Sequence, residues 1–287
     1  MSPDVSGGAR DSAAPLGVFD SGVGGLTVLA ALRAALPAED FIYLGDTARL
    51  PYGTKSGETV VRYAIQASEA LVERGIKALV VACNTATAAA LPALRERFDT
   101  LPIIGVVEPG AAAACAATRS GRIAVIATEG TVRGGAYQQA ILRQRPDAQV
   151  EAAACQLFVA LAEEGWNSGA VAEAAVRAYL APLFDRRAGN AAVASRPDVL
   201  VLGCTHFPVL RDVIARFLGG DVTIVDSAVT TATNVGTMLR QAGLAAPAGR
   251  SGAISLLATD GVERFARVGA RFLGAPIEAA NVDLIDL

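Results

Sequence analysis

The sequence lacks a strong charge of either sign, a long apolar run and closely spaced cysteines. Its formal net charge is −3 over 287 residues, whereas nucleic-acid-binding domains are usually basic. No apolar stretch approaches the roughly 18 residues of a membrane span. The cysteines lie far apart, without the spacing of a zinc site or a disulfide framework; they are Cys83, Cys115, Cys155 and Cys204. These absences predict a chain with no nucleic-acid, membrane or metal partner.

Lysine is almost absent as well. The only lysines are Lys55 and Lys77, and a pyridoxal phosphate enzyme needs a lysine for its Schiff base. Lys77 precedes a predicted strand, at the end of the sheet away from a ligand site, and no phosphate-binding loop accompanies Lys55. The scarcity of lysine therefore favours a site that works without a cofactor.

The first 15 residues are small and polar and lack the hydrophobic segment of a secretory signal. We expect residues 1–15 to be a disordered N-terminal extension. Without a signal, the chain is expected in the cytoplasm, where thiols stay reduced.

Apolar runs alternate with amphipathic or alanine-rich segments along the remaining chain. The predicted strands are 17–19, 41–44, 78–82, 103–107, 123–127, 149–153, 199–202, 222–225 and 254–258. The predicted helices include 26–35, 58–73, 171–184 and 208–217. Such alternation is typical of α/β architecture with parallel sheets. Segment 186–196 resembles a surface loop.

Two of these strands end in the same way. Residues 78–82 and 199–202 are continuous apolar runs, typical of strands buried on both faces. They lead into Cys83-Asn84-Thr85 and Cys204-Thr205-His206. A weaker similarity links Asp20-Ser21 with Asp226-Ser227. We therefore expect two similar α/β domains with the active site in the cleft between them, so that Cys83 and Cys204 face each other.

The position of these two cysteines indicates proton chemistry. Ligands of parallel sheets bind at the carboxyl ends of the strands, and a following helix can lower a thiol pKa from about 8.5 towards neutrality. One base and one acid on opposite faces of a carbon can invert it, which predicts a racemase. The alternative is that each cysteine is a small buried apolar residue. We prefer that alternative for Cys115 and Cys155, but polar neighbours favour function for Cys83 and Cys204.

Other candidate residues lie beside these thiols. His206, the only histidine, is close enough in sequence to exchange a proton with Cys204; alternatively, it hydrogen-bonds to backbone. Asp20, in the glycine-rich segment 20–25, could orient an ammonium group or adjust Cys83, or only cap a helix. Tyr52, between Pro51 and Gly53, is available for hydrogen bonding in a segment that is otherwise an ordinary turn.

Together these segments resemble the glutamate racemases of the aspartate/glutamate racemase superfamily. The resemblance runs from about Leu16 to the C-terminus and rests on four motifs in order. They are Gly17-Val18-Phe19-Asp20-Ser21-Gly22-Val23-Gly24-Gly25-Leu26, Tyr43-Leu44-Gly45-Asp46 with Pro51-Tyr52-Gly53, Ala82-Cys83-Asn84-Thr85-Ala86, and Leu202-Gly203-Cys204-Thr205-His206-Phe207-Pro208. The resemblance implies a cofactor-independent enzyme that interconverts L- and D-glutamate and supplies D-glutamate for peptidoglycan. It also implies a homodimer.

The resemblance implies a role for each matching residue. Cys83 would deprotonate D-glutamate with help from Asp20, and Cys204 would deprotonate L-glutamate with help from His206. Glu163 matches a family acid near the second cysteine. The implied substrate-binding residues are Asp20, Ser21, Pro51, Tyr52, Gly53, Asn84, Thr85, Thr205, His206 and either Thr131 or Thr128. No metal and no cofactor is implied.

The family's two-domain fold maps onto this chain with a discontinuous first domain. It would comprise residues 16–108 and 226–287, and the second domain would comprise residues 109–225. The chain departs from the family at Gln156 and Ala160, where prolines are usual, and loop 186–196 is longer.

Three alternatives remain open at this point. Aspartate or hydantoin racemase is the nearest, although Thr205-His206 after Cys204 favours glutamate. A hydrolase that uses Cys204 and His206 would leave Cys83 without a role. A two-lobed binding protein would hold glutamate without exchanging its α-hydrogen.

Overall fold

The computed structural model describes residues 11–184 and 196–287, which form two parallel β-sheets flanked by helices. The strands are β1 (Leu16–Asp20), β2 (Phe41–Gly45), β3 (Ala78–Val81), β4 (Ile103–Gly105), β5 (Arg122–Ala127), β6 (Gln149–Ala154), β7 (Val199–Gly203), β8 (Thr223–Asp226), β9 (Ile254–Ala258) and β10 (Val282–Leu284). The first sheet has the order β10-β9-β2-β1-β3-β4, and the second has the order β6-β5-β7-β8. Every strand pair in both sheets is parallel. The predicted α/β class with two parallel sheets is confirmed.

Helices follow most strands and cover the sheets. They are α1 (Leu26–Ala35), α2 (Gly57–Val72), α3 (Asn84–Arg97), α4 (Val107–Ala117), α5 (Glu129–Gly134), α6 (Ala136–Gln144), α7 (Leu157–Glu164), α8 (Gly169–Phe184), α9 (Arg211–Leu218), α10 (Ser227–Gln241) and α11 (Val262–Leu273). Short 3-10 turns lie at Tyr52–Thr54, Phe207–Leu210 and Ala279–Asn281.

Each sheet buries apolar side chains on both faces. In the first sheet, Val18 and Val80 point into one core cluster, while Phe19 and Val81 point into another. The second sheet is packed in the same way, with Leu200 on one face and Val201 on the other. In the central strands β3 and β7 neither face meets solvent, so these strands have no polar alternation, as the sequence predicts.

The structure corrects several predicted boundaries. Strand β4 ends at Gly105 rather than at residue 107, because Glu108 and Pro109 suit the first turn of a helix. The predicted helix 208–217 is a 3-10 turn followed by α9, with Pro208 in the first turn. Strand β10 was not predicted, because it has three residues and only Val282 is buried.

The two sheets draw on the segments that the sequence assigns to two domains. Strands β1–β4, β9 and β10 build the first sheet, and β5–β8 build the second. The exact domain boundaries stay a prediction. Of the predicted extension, residues 1–10 lie outside the described residues, and the Lys77 ammonium donates a hydrogen bond to the carbonyl of Ser12. The predicted loop 186–196 lies outside them too, apart from Arg196. No described helix is long and apolar enough to cross a membrane.

Candidate active site

A small cavity lies where the carboxyl ends of the two sheets meet. It brings together most of the sequence-predicted site residues: Ser21, Pro51, Tyr52, Gly53, Cys83, Asn84, Thr85, Cys204, Thr205 and His206. It also contacts Thr128 and two residues that were not predicted, Gln156 and Val159. Asp20, Glu163 and Thr131 do not line the cavity. The expectation that Cys83 and Cys204 share one site therefore agrees with the geometry.

Cys83 lies two residues after β3 and caps the N-terminus of helix α3. Its Sγ accepts a hydrogen bond from the backbone N–H of Ala86, at 3.4 Å, and donates to Ser21 Oγ, at 3.6 Å. Burial, followed by the charge of Asp20, raises the pKa of Cys83 to about 12. The expected lowering of this pKa by the helix is therefore wrong for Cys83, because one backbone N–H does not offset loss of water and a neighbouring carboxylate. Cys83 is a thiol at neutral pH.

Asp20 ends β1 behind the cavity wall and is fully buried. Its Oδ2 accepts a hydrogen bond from the N–H of Gly22, at 3.0 Å. Its Oδ1 has no hydrogen-bond partner among the described residues. Burial raises the pKa of Asp20, although the charge of His206 opposes the rise. Asp20 therefore acts through its charge on groups from both sheets, Cys83 and His206.

Cys204, His206 and Glu163 form a chain of polar contacts on the opposite wall. His206 Nδ1 lies 3.9 Å from Cys204 Sγ, and His206 Nε2 lies 3.1 Å from Glu163 Oε1. Burial works against a charged imidazole, yet the hydrogen bonds to Cys204 and Glu163 outweigh it and raise the pKa of His206 to about 10. His206 is therefore protonated at neutral pH and can exchange a proton with Cys204.

Glu163 is ionised in this arrangement. Burial opposes its charge, but the hydrogen bonds and charges of His206 and Arg264 outweigh that effect and hold the pKa of Glu163 below its usual value. The Arg264 guanidinium donates to Glu163 Oε2, at 2.9 Å. Glu163 thus reaches the reacting atoms only through His206.

Three threonines make a hydroxyl cluster at the start of α3 and α5. Thr85 Oγ1 lies 3.0 Å from Thr128 Oγ1 and 3.2 Å from Thr131 Oγ1. Thr128 and Thr131 are 3.1 Å apart. Because Thr128 lines the cavity and Thr131 lies behind it, Thr128 is the better placed of the two to touch a ligand.

The Tyr52 hydroxyl is engaged elsewhere, contrary to the expectation that it is available to a ligand. It donates a hydrogen bond to Asp46, which also binds Arg49 Nε, at 2.7 Å, and Thr259 Oγ1, at 3.0 Å. Burial, followed by Asp46, raises the pKa of Tyr52 far above its usual value. Tyr52 therefore lines the cavity with its hydroxyl already bonded to Asp46.

Two side-chain amides contribute polar atoms to the cavity wall. Asn84 Oδ1 accepts a hydrogen bond from the Tyr137 hydroxyl, at 2.8 Å, while its buried Nδ2 has no partner in the described part of the chain. The buried Oε1 of Gln156 is also unpartnered there. Gln156 was noted in the sequence only as a departure from a usual proline. A polar residue in that position was the signal that could have predicted it.

Glycines let loops of the first sheet pack closely against loops of the second sheet. A Cβ at Gly24 would lie 2.5 Å from His206 Cε1, and one at Gly53 would lie 2.8 Å from Thr128 Cβ. Beside Gly24, Thr27 Oγ1 donates to the carbonyl of Thr205, at 3.0 Å. The loop after β1 therefore packs directly on the loop after β7.

Among the described residues, the other two cysteines lie outside the cavity and no metal site is formed. Cys155 is buried with its Sγ 3.8 Å from the carbonyl of Ala153, and Cys115 lies 3.8 Å from that of Ile141. Neither lines the cavity. Over residues 11–184 and 196–287, no group of three or more His, Cys, Asp or Glu side chains could hold a metal ion.

Two thiols from different sheets thus face one cavity, each with its own acidic partner. Such a fold and site suit an isomerase, because two acid–base groups that line one cavity can exchange protons with a ligand between them. The comparisons with known proteins agree with this class.

The family model of Asp/Glu/Hydantoin racemases matches residues 24–235. A glutamate racemase of Geobacter metallireducens is 52% identical over 262 residues, which cover 91% of this chain and 93% of that protein. The crystal structure of glutamate racemase isoform RacE1 from Bacillus anthracis aligns with a TM-score of 0.87 at 38% identity, covering 96% of this chain and 98% of that one. A Francisella tularensis glutamate racemase in complex with D-glutamate has a TM-score of 0.86 at 33% identity, with the same coverage. The chain therefore belongs to the Asp/Glu/Hydantoin racemase family and is an amino-acid racemase.

Proposed function

We propose that this racemase interconverts L- and D-glutamate without a cofactor, with Cys83 and Cys204 as its two acid–base groups. The observation that carries the proposal is that these two thiols, which follow β3 of one sheet and β7 of the other, line the same cavity. The names of the relatives described above, and the D-glutamate in the Francisella tularensis protein, support glutamate as the substrate.

In the L-to-D direction, Cys204 removes the α-proton and Cys83 returns a proton to the opposite face. The C–H bond electrons remain on the α-carbon and its carboxylate until the S–H bond of Cys83 breaks and a new C–H bond forms. The high pKa of Cys83 fits this step, because it keeps the proton on Cys83 until the carbanion forms. Exchange of protons with solvent then resets both thiols. The D-to-L direction uses the same groups in reverse.

The neighbouring residues support each thiol in this proposal. His206 exchanges a proton with Cys204 and is held by Glu163, and Asp20 assists Cys83 through its charge. An α-proton is weakly acidic, so the base must be close, aligned and shielded from water. Both thiols are almost fully buried, at 5% exposure for Cys83 and 6% for Cys204.

Polar atoms around the cavity match the charges of glutamate. Carboxylates accept hydrogen bonds only, and donors are available from Asn84 Nδ2 and from the hydroxyls of Ser21, Thr85, Thr128 and Thr205. The substrate ammonium needs acceptors. Gln156 Oε1, in the cavity wall, is a buried acceptor without a described protein partner, and Asp20 adds negative charge from behind the wall. We therefore add Gln156 to the substrate-binding residues implied by the sequence, and we assign the substrate-contacting threonine to Thr128 rather than Thr131.

The proposal also includes the setting of the reaction. D-glutamate from this enzyme would supply peptidoglycan synthesis in the cytoplasm, and the enzyme would be a homodimer whose small-molecule substrate is glutamate.

Dialysed protein tests the proposal directly. It is mixed with L-glutamate in buffered D₂O without added cofactor, and optical rotation is followed together with the α-proton signal in NMR. We expect loss of both signals, and loss of neither with aspartate or a hydantoin in place of glutamate. Cys83→Ala and Cys204→Ala are each expected to abolish racemisation. Glutamate that binds without exchanging its α-hydrogen would identify a binding protein, and substantial activity in either variant would refute the two-cysteine mechanism.

A further inference from the structure

We propose that Arg264 is a positioning residue, which reaches across the cleft from helix α11 to hold Glu163 against His206. This inference deepens the proposed function and rests on it. It assigns a role in the proton transfer at Cys204 to a residue that lies outside the cavity, on the helix after β9 of the first sheet.

Both carboxylate oxygens of Glu163 have a polar partner. Oε1 lies 3.1 Å from His206 Nε2, and Oε2 accepts a hydrogen bond from the Arg264 guanidinium, at 2.9 Å. Glu163 is 15% exposed and Arg264 is 49% exposed. A half-exposed ion pair contributes little stability, so the function of Arg264 is to orient the carboxylate rather than to stabilise the fold.

A second arginine of α11 fixes the backbone of the same residue. Arg271 donates to the main-chain carbonyl of Glu163, at 2.7 Å. Helix α7 ends at the next residue, Glu164, and is capped by Gly165, whose φ is +77°. A Cβ at Gly165 would lie 2.9 Å from the Arg271 guanidinium. The glycine therefore provides both the left-handed turn and the space through which Arg271 reaches the end of α7.

The imidazole also contacts α11. The ring of Phe272 meets the ring of His206 edge-on, with centroids 5.1 Å apart. Arg264, Arg271 and Phe272 thus approach the Glu163–His206 pair from one helix. Helix α11 follows β9 of the first sheet, whereas α7 and the loop that carries His206 follow β6 and β7 of the second sheet. The contacts of the Glu163–His206 pair are therefore complete only where elements of the two sheets meet.

The charges around His206 explain why the orientation of Glu163 matters. Cys204 and Asp20 face the imidazole in addition to Glu163. If Glu163 were free to rotate, His206 would lose its hydrogen-bond acceptor at Nε2. That acceptor fixes the orientation of the ring and keeps the proton on Nε2. Its Nδ1 would then face Cys204 less consistently, which would slow proton transfer between Cys204 and the substrate.

Isotope effects distinguish this role from a general loss of structure. Arg264→Met is compared with Arg264→Lys and with Arg267→Met, a matched substitution of another exposed arginine on α11. We expect Arg264→Met to lower kcat/KM about tenfold, the range of one charge-assisted hydrogen bond. Both directions must fall equally, because the enantiomers have equal free energy. Arg264→Lys is expected to recover part of the loss, and Arg267→Met to behave like the wild type.

The effect of α-deuteration on kcat/KM shows which proton transfer has slowed. Deuterium in L-glutamate slows only the step at Cys204, and deuterium in D-glutamate slows only the step at Cys83. In Arg264→Met the isotope effect is expected to rise with deuterated L-glutamate and to fall with deuterated D-glutamate. Isotope effects that stay unchanged, or that change equally, would overturn the proposal.

Failure of the proposed function would be visible separately. If the wild type racemised no glutamate, the imidazole signals of His206, the only histidine of the chain, would still report its environment by NMR. They are expected to shift in Arg264→Met and to stay in place in Arg267→Met. Unchanged signals in both variants would contradict the positioning role whatever the substrate.

Discussion

Gly24→Ala adds a single methyl group where the loop after β1 packs on the loop after β7. The new Cβ would lie 2.5 Å from His206 Cε1, and closer still to His206 Nδ1 and Thr205 Oγ1. Gly24 does not have a positive φ, so alanine fits the backbone there. The clash with the second half of the molecule is therefore the only expected effect of the substitution.

The size of this effect follows from the overlap. Ordinary contacts begin near 3.4 Å, so the imidazole must move by about 1 Å relative to Gly24. A displacement of about 1 Å in a catalytic site costs on the order of 10²-fold in rate. Overpacking lowers the free energy of unfolding by about 1–3 kcal/mol. We therefore expect a loss of about 10²-fold in kcat/KM with a protein that is still folded.

Racemisation of glutamate followed by circular dichroism measures kcat/KM, and thermal unfolding checks the fold. Gly57→Ala is the control, because nothing lies within 4 Å of its added Cβ. It is expected to keep wild-type activity. A Gly24→Ala enzyme within about threefold of the wild type would refute the close packing of Gly24 on His206.

Further predictions concern the Glu163–His206 pair and the cavity wall. The NMR titration of His206 is expected to have its midpoint near pH 10, and the substitution Glu163→Gln is expected to lower that midpoint. A wild-type midpoint near pH 6.5 would contradict the contacts of His206 with Cys204 and Glu163. Because this pKa is raised on folding, the stability that His206 contributes is complete below about pH 6.5 and is lost as the pH rises towards 10. Thermal unfolding of the wild type and of His206→Asn at several pH values is expected to show that their difference in unfolding temperature shrinks over that range. Thr128→Val is expected to raise KM about tenfold, one lost hydrogen bond to a charged group, whereas Thr131→Val should lower the unfolding temperature with less effect on KM; equal KM values would contradict the assignment. Gln156→Met is expected to raise KM with little change in the unfolding temperature, and an unchanged KM would remove Gln156 from the substrate-binding residues.

The sequence predicts the fold well because its central strands are buried on both faces. The continuous apolar runs of β3 and β7 are typical of strands covered by helices, and each leads into a cysteine motif. Strand β10 was missed because three residues with one buried side chain carry no such pattern.

The site was predicted where chemistry follows a strand directly, and missed where it depends on packing. Nothing near Cys83 in the sequence indicates that burial and Asp20 together outweigh the helix N-terminus. Likewise, Tyr52 is adjacent to the site in sequence, but only the fold brings Asp46 to its hydroxyl. Arg264 is 101 residues from Glu163, so no local pattern connects them.

The central claim is that each cysteine transfers a proton on its own face of the α-carbon. It is tested most directly by converting L-glutamate in D₂O and separating the enantiomers during the first few per cent of reaction. The account predicts D-glutamate that carries deuterium at the α-carbon, and remaining L-glutamate that still carries protium. D-glutamate that retains the original proton would mean that one group removes and returns it, and would contradict the account.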